Sequence, residues 1–329
     1  MCIEEIDWID WKEVFMRYIK EMKDGERVIG HYLVRRKELR ESRTGKSFLS
    51  LKLADRTGVM DAKVWDITHH IGDFEEGCVV KIDGAVTTYQ NERQLKVTKL
   101  RRSDEGEFDE ADYIARAARS VDEMYGEVEG IIRGVGDPFL RALLENMLVG
   151  DEELAASFKS RQAAMYVHHG FAGGLLEHTL SVAQISLMLG ARYRYVNADL
   201  LAAGALLHDI GKVHELRPLP NSEYTDEGQL LGHIVIGVEM VTRAAAKIPG
   251  FPRETESLLK HLIVSHHGEY EFGSPKLPST PEAMLLHFAD NIDAKLTTFA
   301  EIYEKDTGTG LWTSFQKSLG RYVRKPGPP

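Results

Sequence analysis

Cysteine is nearly absent from this chain. Cys2 and Cys78 are the only two in 329 residues, and they lie in unrelated contexts. Neither a disulfide framework nor a cysteine zinc site can be built from them, which points to a reducing compartment. A long apolar run is also missing: no stretch approaches the roughly 18 residues of a membrane span. The acidic start Met1-Cys-Ile-Glu-Glu-Ile-Asp-Trp8 lacks the basic-then-apolar order of a secretory signal. The expectation is a soluble cytoplasmic protein with no membrane partner. Positive charge is short as well. There are 41 Lys+Arg against 51 Asp+Glu, a net charge of −10, which at first sight argues against a polyanionic partner. What remains is an ordinary globular composition, 43% hydrophobic, over a length that suggests about two domains.

Hydrophobic periodicity divides the chain. Residues 1–23 have loosely helical spacing at Ile6, Ile9, Val14, Met16 and Ile19. From 24 to 103 the period is two. Strands are expected at 28–34, 48–53, 60–65, 79–86 and 94–100, with turn chemistry at Asp55-Arg-Thr-Gly58 and a helix-like insert near 66–74. Five short alternating strands suggest a small closed β-barrel, most simply an OB-fold, with an SH3-like barrel as the competitor. Residues 104–154 read as an acidic linker and a helical connection. Beyond it the pattern is helical, with clear runs at 175–189, 198–208, 233–247, 255–265 and 281–303, the last opened by Thr280-Pro281. Residues 155–310 form an all-α domain on this reading, and 311–329 a C-terminal tail that frays at its Pro-Gly-Pro-Pro end.

Ten of the thirteen histidines fall between 168 and 287, where a uniform spread would put about five. Histidine is the commonest metal ligand near neutral pH. His178 opens a helix. His208-Asp209 closes the apolar run 200–207, His266-His267-Gly268 closes another helix, and Asp290 lies inside a third. Each is polar where packing alone would prefer an apolar residue. An unsatisfied buried polar group costs roughly 1–3 kcal/mol, so a shared partner such as a metal ion is implied.

In order along the chain, His178, His208-Asp209 and Asp290 resemble the H…HD…D signature of HD-domain metal-dependent phosphohydrolases. His233 and His266-His267 match the further histidines of the two-metal branches. Combined with an OB-like barrel, the segments Leu51–Trp65, Gly173–Thr179, His208-Asp-Ile-Gly-Lys212, Ser265–Gly268 and Gly273-Ser-Pro275 resemble the YhaM family of 3′→5′ exoribonucleases, over roughly 24–310. The resemblance implies one metal on His178, His208, Asp209 and Asp290 and a second on His233, His266 and His267, with Asp209 bridging. It implies a metal-activated water that attacks the terminal phosphodiester of single-stranded RNA or ssDNA. Asp209, Lys212 and His208 are the catalytic candidates. Lys212, one helical turn after His208, can hold a phosphate oxygen. A nitrogen-rich set favours a divalent transition metal, Mn, Fe, Co, Ni or Zn, over Mg without choosing among them, and manganese is the first expectation. Asp293 is the runner-up ligand. His287 reads as a supporting or core residue, His261 as either core or site, His168 and His169 as loop or substrate contacts, His214 as peripheral, and His69-His70 as a surface loop.

Splitting the charge changes its meaning. Residues 24–103 carry 16 Lys+Arg and 12 Asp+Glu, a balance of +4 that leaves −14 for the remainder. Basic residues interleave with aromatics, as in single-strand binding by OB-folds. The candidates for nucleic-acid contact are Tyr32, Arg35, Arg36, Phe48, Lys63, Trp65, Tyr89 and Arg93. Any single aromatic among them has barrel core as its competing role. Two other functions fit the residues: an HD-type phosphodiesterase for a nucleotide or cyclic dinucleotide, and a non-catalytic nucleic-acid-binding module with a structural metal. A homo-oligomer is compatible with either.

Overall fold

The computed structural model describes residues 17–42, 45–67, 70–89, 92–109, 112–113, 119–164, 171–219, 223–306 and 308–327. The chain divides into two compact units, Met1–Ala115 and Arg116–Pro329.

The first unit is a closed barrel of β1 (Arg27–Glu41), β2 (Ser47–Asp55), β3 (Gly58–Val64), β4 (Val79–Tyr89) and β5 (Glu92–Arg102), in the order β1-β2-β3-β5-β4. β3 and β5 run parallel and the other pairs antiparallel. β1 is long enough to serve two partners. Residues 27–33 pair with β4 and 33–41 with β2, across a register shift between Val34 and Arg36. A bulge of this kind bends a strand and lets a short sheet close on itself. This is the OB-fold that the alternating pattern suggested. Leu49, Leu51 and Leu53 point inward with Val80, Ile82, Leu95 and Val97, while Lys52 between them faces solvent.

Of the helix expected over 1–23, residues 1–16 lie outside the described residues. Residues 17–23 contain only the 3₁₀ turn Ile19–Glu21, and Ile19 and Met22 are buried in the barrel core. The Asp55 carboxylate accepts from the Ile19 amide at 2.6 Å and from Thr57 and Gly58, so one side chain ties this plug to the β2–β3 turn. The helix-like insert near 66–74 is not helical among its described residues. Ile71 forms a bridge to Leu100, the Gly72 amide donates to the Leu100 carbonyl at 2.8 Å, and Phe74 is buried in the core. Edge pairing and one aromatic anchor override the weak local pattern.

The second unit is helical: α1 (Val121–Gly134), α2 (Pro138–Glu145), α3 (Glu152–Ser160), α4 (Gly174–Gly190), α5 (Ala198–Leu207), α6 (Lys212–Glu215), α7 (Asp226–Ala245), α8 (Arg253–Ser265) and α9 (Pro281–Lys305). α5 is apolar on every face and is the buried centre, flanked by α4, α8 and α9. Side-chain caps fix several starts: Asn197 accepts from Leu200, Thr225 from Gly228, and Thr280 from Ala283 with Pro281 in the first turn. α7 begins earlier than expected and breaks at Gly232, whose φ of 72° lies in the left-handed region. The expected tail also differs. β6 (Trp312–Gln316) and β7 (Arg321–Arg324) pair as an antiparallel hairpin. Among the described residues, no helix is long and apolar enough to cross a membrane.

Candidate metal centre and nucleic-acid surface

Every metal-ligand candidate in the helical unit converges on one buried spot. α4 supplies His178, the turn after α5 supplies His208 and Asp209, and α7 supplies His233 immediately after its break. His266 and His267 follow α8, and Asp290 comes from α9. Their ligand atoms form two groups: His178, His208 and Asp290, and His233, His266 and His267. Within each group the atoms lie within 4.8 Å of one another.

The Asp209 carboxylate lies between these groups. Its Oδ2 is 3.4 Å from His178 Nε2 and 3.5 Å from His208 Nε2; its Oδ1 is 3.4 Å from His233 Nε2 and 3.7 Å from His266 Nε2. Close helix packing makes this approach available. At Gly211 a β-carbon would stand 2.0 Å from the His233 carbonyl oxygen, so glycine in the His208–Lys212 segment lets the α7 backbone come down beside Asp209.

The histidines share one device. Nδ1 of His208, His266 and His267 donates to the carbonyls of Ala205, Ile263 and Phe272, at 2.9, 2.6 and 3.0 Å. Nδ1 of His178 meets Asp293 Oδ2 at 2.7 Å, and Nδ1 of His233 meets Glu215 Oε1 at 3.0 Å. A carbonyl or carboxylate only accepts, so Nδ1 carries a proton. The neutral ring then presents the Nε2 lone pair inward, which is how metal-binding histidines are oriented. His178 and His208 bring their Nε2 atoms within 3.3 Å of each other, and Asp209 Oδ1 and His233 Nε2 are buried with no hydrogen-bond partner among the described residues. Lone pairs facing one another and orphaned buried acceptors fit a cation and fit nothing apolar.

Electrostatics agree. Burial opposes charge on His178, but its hydrogen bonds to the Asp209, Asp290 and Asp293 carboxylates outweigh this and raise its pKa well above the ordinary value, so the neutral ring has a strong pull towards positive charge, a proton or a cation alike. Burial likewise opposes ionisation of Asp209 and Asp290. Lys212 and His208 nevertheless hold Asp209 well below the usual carboxylate range, and His178 does the same for Asp290. His266 is depressed by burial and then by His208 and His267, so it stays neutral. The site is built to keep carboxylates ionised and to draw positive charge to one point.

Lys212 faces the pocket as expected and has a second contact there. Its Nζ is 2.6 Å from Asp209 Oδ2, so it neutralises the central carboxylate while lining the same cavity of about 140 Å³. Asp293, the runner-up ligand, orients His178 instead. Glu215, which belongs to none of the sequence motifs, orients His233 through both its ring and its backbone amide, at 3.0 and 2.9 Å. Its only sequence signal is a carboxylate between Val213 and Leu216, both buried. His287 donates Nδ1 to the His266 carbonyl at 2.9 Å, a supporting role. His261 accepts from the Ser279 amide away from the centre. His168 and His169 lie outside the described residues. A second cavity of about 280 Å³ shares His267, Asp290 and Ala294 with the first and adds Phe272, His287, Asn291 and Lys295.

On the barrel, the nucleic-acid candidates separate. Lys63, Trp65 and Tyr89 line one surface groove of about 490 Å³ together with Gln94 and Lys96. Phe48 stacks beneath Trp65, with ring centroids 4.6 Å apart, and so supports the groove from below. Four candidates do not join them there. Tyr32 is only 1% exposed and its Oη donates to the Arg17 carbonyl, which makes it core and corrects its expected role. Arg93 donates to the Met22 carbonyl, and Arg36 pairs with Glu38. Arg35 stands half-buried at the β1 bulge. Alternation by two cannot tell which face of a strand meets solvent when the strand bends.

Comparison with known proteins agrees with this division. Residues 33–102 match the family model of an OB-fold nucleic acid binding domain, and residues 175–295 match that of the HD domain. The chain is 35% identical over 283 residues to a protein of Geobacillus sp. named 3'-5' exoribonuclease YhaM, covering 85% of this chain and 86% of that one. The protein of that name in Bacillus velezensis is 35% identical, covering 85% and 89%, and that in Halalkalibacterium halodurans 33% identical, covering 85% and 87%.

Proposed function

Because the chain belongs to the YhaM family of 3'-5' exoribonucleases, we propose that it removes nucleotides from the 3′ end of single-stranded RNA by metal-dependent phosphodiester hydrolysis. The observation that carries this reading is the Asp209 carboxylate between two convergent histidine groups. A pair of divalent ions on these residues would supply an activated water and neutralise phosphoryl charge. The nitrogen-rich set favours transition metals over magnesium.

The chain's own residues do the rest. The five Nδ1 hydrogen bonds hold the ligand nitrogens in place before any substrate arrives, so little reorganisation is needed. Lys212 keeps Asp209 anionic and places an ammonium in the cavity wall, beside where a phosphate oxygen would sit. The adjoining cavity offers Phe272 for a base and Lys295 and Asn291 for the terminal nucleotide. On the barrel, Trp65 and Tyr89 offer stacking faces and Lys63 and Lys96 a cationic rim for the upstream strand.

The test is incubation of 5′-labelled single-stranded RNA with the protein and Mn²⁺, beside an Asp209→Ala control. The expected result is a ladder that shortens stepwise from the 3′ end and is absent with the variant. Intact RNA together with cleavage of a cyclic dinucleotide would overturn the proposal.

A further inference from the structure

We infer that the C-terminal hairpin is a second binding surface for single-stranded RNA, one that stacks bases on its aromatic face and holds phosphates with its cations. The inference takes the polymer's identity from the exoribonuclease reading and its location from the hairpin alone.

The hairpin is pinned at its base and open on one face. Thr313 and Val323 are buried, and the Val323 amide donates to Thr313 Oγ1 at 3.2 Å. Lys325 pairs with Asp306 at 2.6 Å just past the end of α9, and Tyr303 Oη donates to the Arg324 carbonyl at 3.3 Å. The opposite face is built by register. Trp312 pairs with Arg324 and Phe315 with Tyr322, and residues paired across strands share a face. The irregularity between Trp312 and Phe315 turns both aromatics to this side. Trp312, Phe315 and Tyr322 are each more than half exposed, and Phe315 and Tyr322 meet edge to face at 5.4 Å.

A two-stranded ribbon has little stability of its own, and the Phe315–Tyr322 pair helps to steady it, yet all three rings keep more than half of their surface exposed. Its charge selects the occupant. Residues 307–327 contain Lys317, Arg321, Arg324 and Lys325 and no carboxylate, in a chain whose net charge is −10. Lys325 is tied to Asp306, while Lys317, Arg321 and Arg324 have no carboxylate partner among the described residues; aromatic faces interleaved with such cations suit a single-stranded polyanion, since every base has a stackable face and every phosphate a charge. An apolar protein partner would not call for the cations.

The position is also apt. α9 carries Asp290 at the metal centre and Tyr303 at the hairpin, 13 residues on. At 1.5 Å per residue that is about 20 Å along the helix. Stacked nucleotides at about 3.4 Å each need roughly six to span it. A strand with its 3′ end at the metals therefore reaches the hairpin only when longer than that.

The experiment compares full-length protein with Trp312→Ala/Tyr322→Ala and Arg321→Glu/Arg324→Glu variants, using Trp312→Phe/Tyr322→Phe as the conservative control. Affinities for 4- and 20-nucleotide RNAs are measured with a chelator present, so that binding is read without hydrolysis. The alanine pair should weaken 20-nucleotide binding by roughly ten-fold or more, while the phenylalanine pair retains most of it. The charge reversal should weaken it with a shallower salt dependence. Loss confined to the long strand supports the inference. Equal affinity in all proteins, equal loss on both lengths, or no RNA binding by the unaltered chain overturns it. A changed oligomeric state by light scattering with unchanged affinity also overturns it and assigns the face to a second copy. Failure of the exoribonuclease reading would appear separately, as unaltered protein that binds RNA but does not shorten it with Mn²⁺.

Discussion

The barrel and the helical unit treat their polar residues in opposite ways. On the barrel, charges are spread over the surface and much of the charge is met by a neighbour: Arg27 with Asp83, Arg36 and Arg40 with Glu38, Lys46 with Asp66, Lys52 with Asp61. Exposed pairs of this kind contribute little to stability. They also engage five of the sixteen cations counted there, so fewer are free for a ligand than the count alone implies, although the +4 balance itself is unchanged. In the helical unit, histidines and carboxylates from separate segments are buried or half-buried and aimed at one point. Surface charge is a sum over many replaceable positions. A convergent buried site is a requirement on each position singly, and for that reason it leaves a sharper trace in the sequence.

Removal of the central carboxylate should have the largest effect. Asp209→Ala should lower hydrolysis of labelled RNA several hundred-fold or more, beyond the roughly 10–100-fold that loss of an orienting partner costs. Retention of most activity would show that Asp209 does not join the two halves of the site.

The barrel has its own buried titratable group. Burial, and then the nearby Lys81 charge, pushes His31 down to about 4 from an ordinary 6.5. Above pH 6.5 both folded and unfolded chains are neutral there. As pH falls, the unfolded chain takes up a proton that the barrel refuses until about pH 4. Stability should therefore drain away between those values, by up to about 3 kcal/mol. Denaturation midpoints across that range should fall less steeply for His31→Gln.

Replacement of the orienting carboxylates should come next. Asp293→Asn and Glu215→Gln should each weaken metal affinity by roughly 10–100-fold, read by calorimetric titration, with the helical fold intact. If both leave affinity unchanged, the Nδ1 hydrogen bonds do not tune the site.

The smallest effects belong to the barrel surface. Trp65→Ala or Tyr89→Ala should weaken RNA binding by about 1–3 kcal/mol. Tyr32→Phe should leave it unaltered and cost about 1 kcal/mol of stability through the lost hydrogen bond to Arg17. A binding loss with Tyr32→Phe would undo the distinction between core and groove.

The sequence by itself determined the barrel's strands, the main helices and the set of residues that meet at the candidate metal centre. Strand alternation and helical caps are local signals. The His208-Asp209 pair, His178, the His266-His267 pair and Asp290 stand out because each breaks an apolar pattern. Tertiary structure decided the rest. It made Asp293 and Glu215 orienting partners, paired Lys212 with Asp209, buried Tyr32 and folded residues expected as a tail into a hairpin. These outcomes depend on which side chain arrives opposite another after the chain has bent at a bulge, a glycine or a capped turn. A local pattern carries the face and the spacing of a residue, but not the partner that long-range packing brings to it.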